Sequence, residues 1–274
     1  MAQFLNKAPV QFYKLFKDQK SKLEAAAAAE AAKDDAEFNN LYNSQQFERA
    51  PNAATIVPST SNSGTISGGS FPKGTWALTY DDGPDAARTP RVLSMLKANN
   101  THASFFWLAQ NAMKNATVIS AAKADGNTLG DHSYTHADLS KSSANLQKEI
   151  KESYTLETGL YGAAPKYFRC PYGSCIYSKT TSSANARKMI ADLGMIHVLW
   201  NVDSNDWKAD TPDVIFERTK KQINSLPNGI ILFHDIHDRS VSASTRVVQE
   251  VLMAKGTTKR MMTIDAIVNE INSK

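Results

Sequence analysis

The chain has 274 residues, of which 42% are hydrophobic and 21% are charged, and its formal net charge is +4. This composition is typical of a globular protein, and the charge is too small to indicate nucleic-acid binding. No apolar run approaches the roughly 18–20 residues of a membrane span, and no basic segment precedes an apolar signal core. We therefore expect an exported protein whose signal is absent from this chain, with a cytosolic protein as the alternative.

The first 70 residues differ in character from the rest of the chain. Residues 1–50 contain an alanine-rich stretch of strong helix formers and apolar residues at helical spacing. We predict a helical N-terminal extension here, which either packs on the main domain or serves as a spacer or partner-binding arm. Residues 51–70 contain two prolines and a run of Ser, Thr and Gly, which is typical of a linker. The main domain is therefore predicted to span residues 71–274.

From residue 71 onward, short apolar runs alternate with helical patterns. Strands are predicted at 76–80, 102–108, 128–130, 167–168, 196–202 and 229–233. Helices are predicted at 89–98, 117–125, 145–160, 184–193, 212–225 and 245–255. This alternation predicts a parallel sheet wrapped by helices. Polar clusters follow successive strands, and barrels carry their chemistry at the carboxyl ends of their strands, so we favour a barrel over an open sheet.

The most informative pattern is a pair of carboxylates that is followed by two histidines. Asp81 and Asp82 directly follow one predicted strand, and His132 and His136 follow another. Residues four apart share one face of a helix, so we expect the two histidines to bind a metal from one helical turn, with Asp82 as the third ligand. These donors suit Zn²⁺ and leave a position open for water, although Co²⁺ or another divalent metal also fits them. Asp81 is then free to act as a base.

Three further polar clusters follow predicted strands in the same way. They are Arg169-Cys170-Pro171-Tyr172-Gly173, Asp203-Ser204-Asn205-Asp206-Trp207 and Leu232-Phe233-His234-Asp235. Together with Asp81-Asp82-Gly83-Pro84 and His132-Ser133-Tyr134-Thr135-His136, and in this order, they resemble the five motifs of the NodB-homology polysaccharide deacetylases, carbohydrate esterase family 4. Each cluster alone has a simpler interpretation as a turn, a helix cap or a surface pair. Five ordered motifs within residues 71–270 are far more specific than any one of them.

The resemblance implies a distorted (β/α) barrel of about seven parallel strands, a divalent metal and removal of acetyl groups from a glycan. By position, the implied catalytic residues are the base Asp81, its partner Arg169, the general acid His234 and Asp206, which orients that acid. The implied metal ligands are Asp82, His132 and His136. The implied substrate contacts are the backbone N–H of Tyr172, in the oxyanion hole, and the side chains of Trp207 and Leu232, around the acetate.

Two positions depart from the commoner pattern of that family. Cys170 is an unusual neighbour for Arg169, and Asp131 stands where Asn is frequent; both leave the local loop geometry open. Cys170 and Cys175 either form a disulfide across a short loop or remain free thiols, because a sequence does not supply the geometry of such a bridge.

These observations predict a metal-dependent deacetylase acting on N-acetylglucosamine units of a glycan. Peptidoglycan is favoured because the chain has a helical arm and no carbohydrate-binding module that we recognise. Chitin or chitooligosaccharide comes second and acetylxylan third, because the loops between the motifs set the choice of glycan. The alternative from another class is an inactive glycan-binding protein on the same fold. Its usual sign is a lost base or ligand, and here all of those residues are present. The oligomeric state is left open.

Overall fold

The computed structural model describes residues 64–273. The helical extension predicted for residues 1–50 and most of the linker predicted at 51–70 lie outside the described residues. Residues 64–70 are part of the folded domain, because Thr65–Ile66 forms a strand and the Ile66 side chain is buried. The described part of the domain therefore begins before residue 71. No helix within residues 64–273 combines the length and the apolar character that crossing a membrane requires.

The described residues form one nine-stranded sheet in which every strand pair is parallel. The strands are β1 (Thr65–Ile66), β2 (Thr75–Asp81), β3 (Ser104–Trp107), β4 (Thr128–Asp131), β5 (Tyr167–Phe168), β6 (Ile196–Val198), β7 (Val202–Asp203), β8 (Gly229–His234) and β9 (Arg260–Met261). Their order in the sheet is β1-β6-β5-β4-β3-β2-β8-β7, and β9 pairs with the start of β2.

The segment between β6 and β7 links β1, at one end of the sheet, to β8, which lies next to the other end. Leu199 N–H donates to Ile66 O in β1, at 2.8 Å, while Asn201 Oδ1 accepts from Ile230 N–H in β8, also at 2.8 Å. The sheet is thereby a distorted (β/α) barrel, which confirms the predicted fold class. The single strand predicted at 196–202 is wrong, because residues 199–201 leave the ladder to make these bonds.

The helices cover the outer face of the sheet and the end of the barrel at which the strands begin. They are α1 (Thr89–Ala98), α2 (Ala109–Ala112), α3 (Ala116–Ala124), α4 (Ser153–Tyr161), α5 (Ser174–Tyr177), α6 (Thr181–Asp192), α7 (Pro212–Ser225), α8 (Asp238–Val247) and α9 (Ile264–Asn272). A π-helical turn, Gln147–Glu152, leads into α4, and a second, Val248–Leu252, extends α8.

Helix boundaries follow local capping where the sequence supplies it. Helix α7 begins as predicted, because Thr211 caps it through Val214 N–H and Pro212 stands in its first turn. The helix predicted at 245–255 begins earlier, at Asp238, and ends in the π turn. The predicted helix at 145–160 is the first π turn followed by α4.

Strand β2 shows how the barrel separates an apolar outer layer from a mixed interior. Trp76, Leu78 and Tyr80 belong to the core between the sheet and the helices, as alternate residues of a strand must. Ala77 belongs to the interior cluster, which α9 supplements with Ile264 at the end where the strands begin. The interior of the barrel is thus filled by apolar side chains at the end where the strands begin, and polar side chains lie at the carboxyl ends of the strands.

Candidate active site

The first element of the site is a buried ion pair. Asp81 is the last residue of β2, and Arg169 follows β5; Asp81 Oδ1 accepts from Arg169 Nη1 at 2.6 Å. The guanidinium also donates to Thr79 Oγ1 at 2.8 Å and to the carbonyls of Val198 and Leu199, both at 3.3 Å. Arg169 is fully buried, so all of its hydrogen bonds are internal. Asp81 is therefore held in one orientation, with Oδ2 at 3.6 Å from His132 Nε2.

Asp82 turns to the same side as Asp81 because the chain leaves the strand between them. Its φ of 72° lies in the left-handed region, and its backbone N–H donates to Phe106 O at 3.2 Å. Gly83 follows in a place with no room for a side chain, since a Cβ there would lie 2.3 and 2.4 Å from the carboxylate oxygens of Asp235. Two adjacent carboxylates can therefore face one point, which a regular strand would prevent.

His132 and His136 are presented by a loop after β4, so the prediction of one helical turn is wrong. Ser133 has φ 75° and His136 has φ 71°, both outside the helical region. Asp131 Oδ1 accepts from Ser133 N–H at 2.8 Å, and Ser133 Oγ accepts from His136 N–H at 3.1 Å. These local bonds from side chains to the backbone compete with helix formation and set the loop conformation.

The histidine loop is also fixed from the helix that follows it in the chain. Glu149, in the π turn before α4, is buried, and its two carboxylate oxygens accept from Thr135 N–H at 2.8 Å and Thr135 Oγ1 at 2.6 Å. Glu149 O accepts from Tyr134 N–H at 3.1 Å. Glu149 was not predicted as a site residue, because nothing in a helical pattern marks a residue that contacts a loop fourteen positions earlier in the chain.

Three donor atoms converge where a metal would be held. Asp82 Oδ1 lies 3.4 Å from Nε2 of His132 and 3.4 Å from Nε2 of His136, and these ligand atoms all lie within 4.8 Å of one another. Asp82 Oδ1 is buried and has no hydrogen-bond partner. An unsatisfied carboxylate oxygen beside two imidazoles is the donor set of a divalent metal, so these residues fit one.

Charge within this cluster is balanced among its members. Burial alone would raise the pKa of Asp82, but the neighbouring histidines outweigh burial and lower it. Burial lowers the pKa of His136. For His132, burial also favours the neutral ring, yet the carboxylates of Asp81 and Asp82 reverse the effect and raise the pKa. The cluster therefore keeps Asp82 ionised, as a metal ligand must be.

A histidine paired with a carboxylate lies on the other side of the donor cluster. His234 ends β8, and its Nδ1–H donates to Asp206 Oδ1 at 2.7 Å, while its backbone N–H donates to Asp206 Oδ2 at 2.8 Å. Although burial opposes a charged ring, Asp206 raises the pKa of His234 to about 10. His234 Nε2 lies 3.9 Å from Asp82 Oδ2, so the ring faces the donor cluster.

Arg239 supports this pair and was missed by sequence analysis. Its Nε donates to Asp206 O at 2.6 Å and its Nη2 to Trp207 O at 3.0 Å. It lies on α8, some thirty residues after the backbone that it holds, so no local pattern links the two segments. Arg239 thereby fixes the segment that carries the predicted residues Asp206 and Trp207.

The remaining predicted residues lie around the same rim. Leu232 pairs in register with Thr79, which places it on the interior face of β8, two residues before His234. Tyr172 has φ 60° within the turn Pro171–Gly173, and its hydroxyl is 3.1 Å from His136 Nδ1. Trp207 directly follows Asp206. All ten predicted site residues therefore lie at the carboxyl ends of the strands or in the segments that follow them.

Cys170 and Asp131, the two positions that depart from the commoner motifs, are both buried. Cys170 and Cys175 form a disulfide, with their Cα atoms 5.9 Å apart, which answers the question that the sequence left open. Asp131 is fully buried, and Ser153 Oγ donates to its Oδ1 at 2.8 Å. Burial raises the pKa of Asp131 to about 7.

Comparison with known proteins agrees with this geometry. The family model "Polysaccharide deacetylase" matches residues 68–195. A peptidoglycan-N-acetylglucosamine deacetylase of Bacillus cereus is 31% identical over 185 residues, which are 67% of this chain and 64% of that protein. A chitin deacetylase of Colletotrichum lindemuthianum is 33% identical over 192 residues, which are 66% of this chain and 74% of that protein.

A solved structure supports the same assignment. The crystal structure of a peptidoglycan N-acetylglucosamine deacetylase in complex with a naphthalenyl benzamide derivative superposes with a TM-score of 0.65 and 30% identity. The match covers 75% of this chain and 92% of that chain. The resemblance noted from the five motifs is confirmed, and the chain belongs to the polysaccharide deacetylase family.

Proposed function

We propose that the protein is a metal-dependent deacetylase that hydrolyses the N-acetyl group of N-acetylglucosamine units in a glycan. One observation carries the proposal: three ligand atoms meet beside an oriented carboxylate on one side and a histidine–aspartate pair on the other. Hydrolysis of an amide needs an activated water, a base and an acid for the amine, and this arrangement provides a residue for each need.

Asp82, His132 and His136 are the proposed metal ligands, and Zn²⁺ is the proposed ion. Two imidazoles and one carboxylate are a common catalytic zinc set, although Co²⁺ fits the same donors. When bound, such an ion polarises the acetyl carbonyl and lowers the pKa of water. His132 is prepared for this role, because its Nδ1–H donates to a backbone carbonyl and leaves the lone pair of Nε2 for the ion.

Asp81 is the proposed general base. Arg169 occupies one carboxylate oxygen and leaves Oδ2 on the side of the ligand cluster. From that position Oδ2 takes the proton of the water that attacks the amide carbon. The buried guanidinium compensates the charge of Asp81 and prevents the carboxylate from turning away. Arg169 thus acts by positioning the base.

His234 is the proposed general acid. The pKa of about 10 keeps its ring protonated at neutral pH, and Asp206 fixes that ring through Nδ1. The proton on Nε2 then faces the cluster and is available to the amine as the carbon–nitrogen bond breaks. The products are acetate and a glucosamine unit of the glycan.

The substrate contacts complete the proposal. The backbone N–H of Tyr172 is the proposed donor to the developing oxyanion, a contribution that backbone groups make in many acyl-transfer sites. Trp207 and Leu232 are proposed to line the acetyl pocket. Their places on the rim, one beside Asp206 and the other on β8 before His234, support this role.

Peptidoglycan is the proposed glycan and chitin or chitooligosaccharide the second candidate. The named relatives include enzymes of both kinds, at 31% and 33% identity, and so support both. An exported location fits either polymer. The disulfide within the site loop supports it, because disulfides persist mainly in oxidising compartments.

Parallel assays of acetate release test the proposal. Metal-stripped protein and zinc-loaded protein are incubated with peptidoglycan, chitooligosaccharide and acetylxylan, and free acetate is measured. We expect release only after metal addition, with peptidoglycan as the best substrate. Full activity in a sample that elemental analysis finds free of metal would refute the assignment of the ligands. Glycan binding without acetate release from any substrate would favour an inactive glycan-binding protein instead.

A further inference from the structure

Both imidazoles of the donor cluster are oriented from one short segment of the chain. His132 Nδ1 lies 2.6 Å from Arg169 O, and His136 Nδ1 lies 3.1 Å from the Tyr172 hydroxyl. A carbonyl oxygen only accepts, so the proton of His132 must be on Nδ1. The Tyr172 hydroxyl can accept in the same way from His136, so the neutral form of each ring has its lone pair on Nε2, the nitrogen that faces Asp82.

The segment that provides these two partners is closed by the disulfide. Cys170 and Cys175 are buried, and the bridge encloses the turn that contains Tyr172. Tyr172 and Gly173 both have positive φ, 60° and 64°, and this conformation is unfavourable for Tyr172 because its Cβ crowds the backbone. The cross-link restrains the turn against relaxing toward a negative φ at Tyr172. Cys170 is the next residue after Arg169 in the chain, so the disulfide restrains both the Arg169 carbonyl and the Tyr172 side chain, which are the partners of the two imidazoles.

We propose that residues 169–175, which the Cys170–Cys175 disulfide closes apart from Arg169, set the affinity of the site for its metal by orienting His132 and His136. The inference rests on the proposed metal site. It makes the Tyr172 side chain a positioning residue, separate from the role proposed for its backbone N–H. Groups that hydrogen-bond to a ligating imidazole fix its tautomer and direction, and their loss typically costs 10–100-fold in metal affinity.

The chain offers a matched pair of variants. Tyr172→Phe removes only the hydroxyl that faces His136 and keeps the backbone N–H. Tyr177→Phe makes the same chemical change just outside the cross-linked loop, and the two tyrosines are similarly exposed, at 43% and 40%. A third variant, Cys170→Ala with Cys175→Ala, opens the segment. Alanine is used in place of chemical reduction because free thiolates bind zinc themselves.

The measurement is the dissociation constant for zinc, obtained by competition with a chromophoric chelator on metal-stripped, full-length protein. We expect Tyr172→Phe to bind zinc about 10-fold more weakly than wild type, and the double cysteine variant 10–100-fold more weakly. Tyr177→Phe should match wild type. The melting temperature of metal-free Tyr172→Phe should equal that of wild type, which separates a lost ligand partner from general damage to the fold.

The zinc affinities separate the positioning role of Tyr172 from the existence of the metal site. If wild type binds zinc but Tyr172→Phe binds it as tightly as Tyr177→Phe, the positioning role is refuted and the metal site stands. If wild type binds no zinc, the proposed metal function itself is refuted. If the double cysteine variant does not fold, the comparison of the two tyrosine variants decides alone.

Discussion

The adjacent carboxylates Asp81 and Asp82 are chemically alike, and exchanging each for its amide separates the base from the ligand. Asp81→Asn keeps an oxygen that accepts from Arg169 and leaves the three ligand atoms in place. Asp82→Asn instead removes the charge from the oxygen that lies 3.4 Å from both imidazoles. The first variant should keep the metal and lose turnover, and the second should lose the metal.

The magnitudes follow from the contacts of each side chain. General-base catalysis contributes 10²–10⁴-fold, or about 3–5 kcal/mol of barrier, so turnover of Asp81→Asn should fall by that factor. Asp81→Asn also leaves the fully buried Arg169 without a counter-charge, which should lower the free energy of unfolding by about 3–5 kcal/mol. Asp82→Asn also removes the charge that the neighbouring histidines stabilise, so it too should lower the free energy of unfolding of the metal-free protein, and zinc affinity is the measurement that separates the two variants.

The assay combines bound zinc, acetate release at saturating substrate and urea unfolding of the metal-free protein for both variants. We expect zinc affinity of Asp82→Asn to fall by more than the 10–100-fold that loss of an outer partner costs, with partial rescue of activity by excess zinc. Retained zinc in Asp82→Asn together with lost zinc in Asp81→Asn would reverse the two roles. Equal turnover of wild type and Asp81→Asn would refute the assignment of Asp81 as the general base.

Three further changes test other parts of the structure. Glu149→Gln replaces one carboxylate oxygen that accepts from Thr135 and should weaken zinc binding about 10-fold. Glu152→Gln, on the same π turn, is the control and should leave zinc binding unchanged. Equal zinc affinities of the two variants would contradict the role of Glu149. A chain that starts at residue 71 lacks the buried Ile66. Its free energy of unfolding should be about 1.5–3 kcal/mol lower than that of a chain that starts at residue 64. Coincident urea unfolding curves for the two chains would show that β1 does not stabilise the domain. Burial raises the pKa of Asp235 from 3.8 to about 7, so the folded state holds a proton that the unfolded chain releases between those values, and the free energy of unfolding falls as pH rises through them. Asp235→Asn should flatten this fall in thermal melts of metal-free protein between pH 4 and 8, and parallel curves for the two proteins would exclude the assignment.

The sequence by itself determined the secondary-structure elements and their order along the chain. Alternating apolar runs and helical patterns predicted the parallel sheet and its helices, and the helix predicted at 212–225 has these bounds in the structure. The polar residues that end successive strands predicted one site, because parallel strands bring their carboxyl ends to one rim. The ten site residues on that rim were named from the resemblance of the five motifs to the polysaccharide deacetylases. Motif order along the chain was enough for this inference.

Tertiary structure alone decided how those side chains are aimed. Two histidines four apart suggested a helical turn, but bonds from Asp131 and Glu149 hold them on a loop. The partners that fix Asp206 and His132, namely Arg239 and the Arg169 carbonyl, lie more than thirty residues away along the chain. A periodic pattern reports only the face that a residue presents within its own element. Contacts between distant segments depend on how the sheet curls, and the sequence pattern carries no signal for them.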